Sequence, residues 1–294
     1  MAERRDSRIE RDDVVLAGTI WLPDSAPLGG LVMHPGSGPT SRTNDGYFTF
    51  LGRALLTAGY AVSSYDKRGA GESTGSWQDA PIETQAGDLI AAHEELLAIE
   101  TLADLPIGVF GHGQGGWVAL DAASRTRAID FVIVNSGPGV SPARQERYAA
   151  ERALLTDGAD DLAVERGLAR YDLVTRLART RTPYADIASR RDELHPYVPD
   201  DEKAWHFWTS ILDFEPRSAL ANIHVPILSL FGEDDRIVPV EESVSVFKSM
   251  VPPTRLETHV FPGADHRIRV GEPPELAPGY LETVIAFLES HSQS

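Results

Sequence analysis

The sequence predicts an α/β protein built on a predominantly parallel β-sheet with helices on its faces. Short, continuous apolar runs at 131–134 and 227–231 are typical of parallel strands that are covered on both sides. Such runs alternate with segments whose apolar residues recur at helical spacing, which indicates parallel strands joined by helical crossovers. Residues 141–221 interrupt this alternation with stretches rich in Arg, Asp and Glu. That interruption predicts an inserted, helical segment.

The individual elements follow in order along the chain. Strands are predicted at 14–23, 30–33, 60–65, 107–110, 131–134, 227–231 and 256–261, each a short apolar or alternating run. Helices are predicted at 47–58, 82–97, 117–123, 161–181, 241–250 and 281–288. Gly59 is placed to end the first helix with a positive φ, and Pro81 suits the first turn of the second.

The composition excludes several classes of protein. Of the 294 residues, 42% are hydrophobic and 24% are charged, which is typical of a folded domain and excludes disorder as the main state. The net charge of −17 would repel nucleic acid and anionic membranes, so we expect a small-molecule substrate as the partner. The absence of cysteine excludes disulfides, a thiolate nucleophile and sulfur-based zinc sites.

The start of the chain is charged and has no apolar run behind it, which predicts neither a signal peptide nor a membrane span. We therefore expect a protein of the cytoplasm. The nine histidines show no metal-ligand spacing, so no metal is expected. The oligomeric state is not indicated by the sequence.

Four unusual turns follow predicted strands, and ligand sites lie at the carboxyl ends of parallel strands. Residues 111–115, Gly-His-Gly-Gln-Gly, match the nucleophile elbow Gly-x-Ser-x-Gly except at the centre. An acidic turn at 232–235 contains Asp235, and the turn at 263–266 ends in His266. The fourth turn, Pro-Gly-Ser-Gly at 35–38, has a flexible backbone whose N–H groups could point into a site.

Together with the segment Asp-Lys-Arg-Gly at 66–69, these motifs resemble those of the α/β-hydrolases that carry a helical lid. The resemblance implies an eight-stranded sheet, with a core at 1–140 and 222–294 and a lid at 141–221. It also implies the chain order nucleophile, acid, histidine, which falls on position 113, Asp235 and His266. The implied oxyanion-hole donors are the backbone N–H groups of Ser37 and Gln114, and no cofactor is implied.

This chain departs from the family pattern at position 113, where Gly113 has no oxygen with which to form an acyl-enzyme. Three explanations stay open. The chain is a hydrolase of a carboxylic ester, thioester or lactone whose serine is replaced, giving an inactive or substrate-trapping form. Alternatively, it is a nucleophile-less enzyme that uses His266 and Asp235 for water attack, elimination or cyclisation, or it is a pseudoenzyme that binds a small molecule.

Several other residues have both a functional and a structural interpretation. His112 and Gly36 are expected to border the substrate, with His112 serving the geometry of the elbow rather than catalysis. Trp205 and Trp208 are expected to form part of a pocket wall, which favours a bulky apolar substrate. Asp66 and Arg68 are interpreted as a buried pair that orders the loop after their strand.

Two further alternatives receive little support from the sequence. A dinucleotide loop at 111–115 would need an acidic residue at a strand end about 20 residues on, whereas Asp130 precedes its strand. Ser37 and Ser136 are the serines considered as substitute nucleophiles, and neither lies at the elbow.

Overall fold

A computed structural model describes residues 3–292; Met1, Ala2, Gln293 and Ser294 lie outside the described residues. The strands are β1 (Glu3–Arg11), β2 (Val14–Leu22), β3 (Gly29–His34), β4 (Tyr60–Tyr65), β5 (Ile107–His112), β6 (Val132–Asn135), β7 (Ile227–Gly232), β8 (Leu256–Phe261), β9 (Arg269–Val270) and β10 (Glu275–Leu276). The α-helices are α1 (Tyr47–Thr57), α2 (Ile82–Leu97), α3 (Gln114–Arg125), α4 (Pro142–Thr156), α5 (Asp161–Arg179), α6 (Tyr184–Ala188), α7 (Arg191–Leu194), α8 (Glu202–Ile211), α9 (Pro216–Leu220), α10 (Val240–Met250) and α11 (Tyr280–His291).

Strands β1 to β8 form one sheet in the order β1-β2-β4-β3-β5-β6-β7-β8. The pairs from β4 through β3 to β8 are parallel, and β1 and β2 are antiparallel to their neighbours. The eight-stranded, predominantly parallel sheet is therefore confirmed. From β3 the chain runs to β4 on one side of this strand and then crosses to β5 on the other side. This change of direction creates a crevice between β3 and β5, the kind of place where open α/β sheets bind ligands.

Two apolar clusters cover the two faces of the sheet. On one face, α1 and α11 pack through Leu51, Leu55 and Phe287 onto the sheet. On the other face, α2, α3 and α10 pack through residues such as Leu89 and Val118. The central strands β3 to β7 are buried along their whole length, because helices remove both of their faces from water.

Two local predictions were wrong. Strand β1 is absent from the prediction because its sequence, ERRDSRIER, is almost entirely charged. It is an edge strand that buries Ser7 and Ile9, half-buries Arg11 and leaves its other side chains in solvent. Helix α3 begins at Gln114 rather than near Trp117. Its first turn contains two glycines, and because glycine is a weak helix former, the sequence did not indicate a helix there.

Helices α4 to α9 lie between β6 and β7, in the stretch where the sequence predicts a helical insertion. Part of this segment has an apolar cluster of its own, which includes Val174, Ile187, Leu194 and Trp205. The division of the chain into a core and a lid stays a prediction. Among residues 3–292, no helix combines the length and the apolar character needed to cross a membrane.

Candidate active site

The sheet brings the four unusual turns together at the carboxyl ends of its parallel strands. Gly36 and Ser37 follow β3, Gly113 follows β5, and these two strands are direct neighbours at the point where the sheet order reverses. Asp235 follows β7 and His266 follows β8, at the same end of the sheet. Parallel strands all end on the same side of the sheet, so residues far apart in the chain meet around one cavity.

Gly113 has the backbone conformation of a sharp strand-to-helix turn, with φ +55° and ψ −119°. The glycines around it are required by close backbone contacts. A Cβ at Gly111 would lie 2.0 Å from the carbonyl oxygen of Gly115, and a Cβ at Gly115 would lie 2.6 Å from that of His34. Side chains at these positions would collide with the backbone, which explains the Gly-x-Gly-x-Gly pattern without a nucleotide.

His266 is bound to Asp235 through its Nδ1 atom, which lies 2.7 Å from Oδ2 of the carboxylate. The Asp235 side chain is buried, and its Oδ1 atom accepts the backbone N–H groups of Ile237 at 2.8 Å and Val238 at 3.0 Å. A carboxylate can only accept, so it places the proton of a neutral His266 on Nδ1 and leaves a lone pair on Nε2. That nitrogen faces the elbow, because a Cβ at Gly113 would lie 3.1 Å from it.

Two backbone N–H groups border the same space. Gln114 is the first residue of α3, so its N–H has no partner within the helix. The N–H of Ser37 likewise donates to no other group within residues 3–292. Both residues line the cavity together with Gly36. Two free N–H donors beside the elbow form an arrangement that could stabilise an oxyanion.

His112 is held in one orientation by a buried polar network. The side-chain amide of Asn135 lies 3.0 Å from Nδ1 of His112, while its oxygen accepts the hydroxyl of Tyr280 at 2.8 Å. Burial, together with the nearby His266, pushes the pKa of His112 well below its ordinary value. The two imidazole rings are 4.9 Å apart. His112 is therefore a neutral side chain that lines the cavity.

The cavity above these turns has a volume of about 700 Å³, which is within the usual range for small-molecule sites. Much of its wall is aromatic or aliphatic. The apolar lining residues include Trp77, Trp117, Val174, Phe207, Trp208, Ile211 and Val238.

The two tryptophans that the sequence predicts for the pocket wall have different surroundings in the structure. Trp208 lines the cavity. Trp205 is only 1% exposed, packs among the helices of the inserted segment, and donates its indole N–H to the carbonyl of Thr182 at 2.9 Å. The assignment of Trp205 to the pocket wall was therefore wrong: Trp205 lies three positions before Trp208 on α8, and its side chain packs into the apolar cluster of the inserted segment.

One further sequence interpretation is corrected by the structure. Asp66 and Arg68 do not pair with each other: Asp66 binds Arg42, with Oδ2 2.6 Å from Nη2, and Arg68 binds Asp88 at 2.7 Å. Of the two serines considered as substitute nucleophiles, Ser37 borders the cavity, whereas the side chain of Ser136 is fully buried.

Sequence reasoning missed two charged groups near the site. The Lys67 side chain is buried and donates to the carbonyl of Gly36 at 2.9 Å and to Oε1 of Gln114 at 3.0 Å; burial lowers its pKa to about 7. Glu146 of α4 lines the cavity and is exposed to solvent. Lys67 stands in the Asp-Lys-Arg-Gly motif and could have been singled out there, whereas no pattern marks Glu146.

Within residues 3–292, no three His, Asp or Glu side chains are grouped in a way that could hold a metal ion. The polar groups of the cavity include His266, which is bound to the Asp235 carboxylate, the backbone N–H groups of Ser37 and Gln114, and single charged side chains. Such a set is suited to proton transfer and to the stabilisation of a negatively charged oxygen.

Comparisons with known proteins agree with this architecture. A family model described as "Serine aminopeptidase, S33" matches residues 40–273. A bifunctional esterase/perhydrolase of Acinetobacter calcoaceticus is 25% identical, over 95% of this chain and 98% of its own. A Pseudomonas savastanoi protein that carries the name carbamate hydrolase RutD is also 25% identical, over 91% of this chain and 95% of its own.

Among solved structures, an esterase of Pyrococcus furiosus superposes with a TM-score of 0.66 at 19% identity. The match covers 99% of this chain and 92% of the esterase. At this level of identity the likeness shows a shared fold.

Proposed function

The chain belongs to the serine aminopeptidase (S33) family of the α/β-hydrolases, and from this premise we propose that it is an ester-type hydrolase whose nucleophile position is occupied by Gly113. The proposed substrate is a carboxylic ester, thioester or lactone of a bulky apolar small molecule, since aromatic and aliphatic side chains form much of the cavity wall. The named relatives include an esterase, which supports this substrate class.

One observation carries the proposal: Nε2 of His266, backed by Asp235, points at the place where a side chain at position 113 would begin. With a serine there, His266 would take the Oγ proton while Oγ bonds to the carbonyl carbon. The N–H groups of Ser37 and Gln114 would stabilise the resulting oxyanion. His266 would then return the proton to the leaving alcohol, and water would release the acid from the acyl-enzyme.

With glycine at position 113, the chain binds the substrate but forms no acyl-enzyme at this position. In subtilisin, removal of the nucleophile costs about 10⁶ in kcat and leaves about 10³–10⁴ over the uncatalysed rate. The chain with Gly113 is accordingly a very slow hydrolase or a form that retains its substrate.

The test is to introduce a serine at the elbow. Gly113→Ser is expected to hydrolyse para-nitrophenyl acetate and to be labelled stoichiometrically by a fluorophosphonate. Gly113→Ala is the matched control, because it adds the Cβ without the hydroxyl and should stay inactive and unlabelled. Failure of Gly113→Ser to gain either property, while it remains folded, would refute the proposal.

A second candidate function uses water as the nucleophile. It is favoured by the Nε2 atom of His266, which has no hydrogen-bond partner within the described residues and lies in the cavity lining. His266 would take one proton from a water molecule, the hydroxide would add to the substrate carbonyl, and the protonated His266 would give its proton to the leaving alcohol. The same base could instead remove a proton from the substrate and so start an elimination or a cyclisation.

These routes differ from the first in how the unchanged chain behaves. Under the water or elimination route, the chain with Gly113 turns over its substrate and loses this activity on His266→Ala, while Gly113→Ser brings no gain. Ligand binding without turnover, unaffected by His266→Ala, would identify a binding protein. The net charge of −17 supports a small-molecule rather than a nucleic-acid partner, and a cytoplasmic location stays a prediction.

A further inference from the structure

Lys67 connects the two loops that carry the free N–H groups of the site. Its Nζ atom lies 2.9 Å from the carbonyl oxygen of Gly36, which precedes Ser37, and 3.0 Å from Oε1 of Gln114. The carbonyl of Gly36 belongs to the same peptide unit as the N–H of Ser37. The Lys67 amino group therefore binds two things at once: the peptide unit that contains the Ser37 N–H, and the side chain of Gln114, whose backbone carries the other N–H.

The position of this lysine is costly for the fold. The residue is 2% exposed, and both of its partners are uncharged oxygens. Burial of an amino group without a carboxylate partner is unfavourable, and it lowers the pKa of Lys67 to about 7. The neighbouring charges are engaged elsewhere, because Asp66 binds Arg42 and Arg68 binds Asp88. His34, the titratable group next to Lys67, is neutral, since burial and the charge of Lys67 lower its pKa to about 3.

Lys67 does not line the cavity, whereas its two partners, Gly36 and Gln114, form part of the cavity wall. It therefore cannot contact a substrate held there and can act only through those partners. An oxyanion hole works when its donors are held in place before charge develops, so a group that ties the two loops together would contribute to this preorganisation.

We propose that Lys67 is a positioning residue of the oxyanion hole, which sets the relative position of the Ser37 and Gln114 backbone N–H groups by bridging the two loops that carry them. The inference rests on the proposed function for its catalytic consequence, but the bridge itself can be tested without any turnover. The contribution belongs to the transition state, because the two N–H groups bind most strongly to the oxygen that becomes negatively charged.

The catalytic arm of the test uses the Gly113→Ser background and para-nitrophenyl acetate. Adding Lys67→Met is expected to lower kcat and kcat/KM together, by about 10- to 100-fold, because it weakens an interaction made only in the transition state. Lys248 of α10 is exposed, so Lys248→Met is the matched control and should leave both constants unchanged. An unchanged kcat in a folded Lys67→Met protein would overturn the inference.

The absence of cysteine from the sequence permits a conservative rescue. Lys67→Cys can be alkylated in the unfolded state with bromoethylamine, which restores the amino group, and then refolded. Alkylation with bromopropane gives a side chain of similar size without the amino group. We expect the aminoethylated protein to regain kcat and the propylated one to stay low; equal rates for the two would overturn the inference, since filling the space would then suffice.

The structural arm uses the unchanged chain with Gly113. Lys67→Met is expected to shift or broaden the amide proton–nitrogen resonances of both Ser37 and Gln114, while those of Asp235 and His266 stay in place. If the Ser37 and Gln114 resonances do not change, the bridge is refuted, whatever the catalytic result. If Gly113→Ser is inactive and unlabelled, the proposed function fails, and the resonances alone decide the role of Lys67.

Discussion

Nε2 of His266 lies 3.1 Å from the position that a Cβ at Gly113 would occupy. This contact is tight, so a shift of the imidazole by a few tenths of an ångström would accommodate the Cβ and leave a hydroxyl on it within hydrogen-bond distance of Nε2. The orientation of the ring comes from Asp235, whose carboxylate is in turn held by two backbone N–H groups. The base and its partner are thus in place beside a residue that has no side chain.

The first prediction concerns the stability of the elbow. The φ of +55° at Gly113 is strained for any residue with a Cβ, at a cost of about 1–3 kcal/mol. Gly113→Ser and Gly113→Ala should therefore both lower the free energy of unfolding by about this amount, as measured by urea denaturation. A gain in stability for Gly113→Ala would show that the backbone conformation at the elbow differs from the one described.

The second prediction concerns the carboxylate behind His266. In the Gly113→Ser background, Asp235→Asn should lower kcat by about 10⁴, because an amide N–H facing Nδ1 favours the wrong tautomer of the imidazole. The control is Asp234→Asn, since Asp234 is an exposed neighbour that is not bound to His266. Steady-state hydrolysis of para-nitrophenyl acetate measures both; similar losses in the two variants would contradict the assignment of Asp235.

The third prediction concerns the dependence of stability on pH. Burial lowers the pKa of His34 from 6.5 to about 3, and the ring is bound by Tyr65 and Gln85. Between pH 6.5 and 3 the unfolded state binds a proton at this histidine and the folded state does not, so stability falls as the pH falls. The contribution is at most about 1.4 kcal/mol per pH unit.

His34→Gln removes this titration. The free energy of unfolding of the variant should fall less steeply than that of the parent between pH 6.5 and pH 4, as measured by urea denaturation at intermediate pH values. Parallel pH profiles for the two proteins would show that His34 titrates alike in the folded and unfolded states.

The fourth prediction separates the two tryptophans of α8. Trp205→Ala should lower the free energy of unfolding by about 3–5 kcal/mol, because it empties a buried site. Trp208→Ala should cost less stability and, in the Gly113→Ser background, raise KM for naphthyl butyrate more than for ethyl acetate. If Trp208→Ala changes KM by the same factor for both esters, Trp208 does not contribute to the binding of the bulky ester.

The sequence by itself determined most of the fold. The predicted strand at 60–65 and the predicted helix at 82–97 coincide with β4 and α2, because the patterns of buried residues that define them are local in the chain. Strand β1 escaped prediction, since an edge strand with nearly all side chains in solvent carries no apolar signal. The turns at 35–38, 111–115, 232–235 and 263–266 could also be located, because glycines and polar residues directly follow apolar runs.

Only the tertiary structure decided which side chains meet. Lys67 and Gln114 are 47 positions apart, and Asp66 and Arg42 are 24 apart, so no local pattern reveals either contact. Trp205 and Trp208 are both on one short helix, yet Trp205 is buried among helices and Trp208 borders the cavity. Hydrogen bonds and packing act between elements that the fold brings together, and the energy of burying each side chain depends on those neighbours.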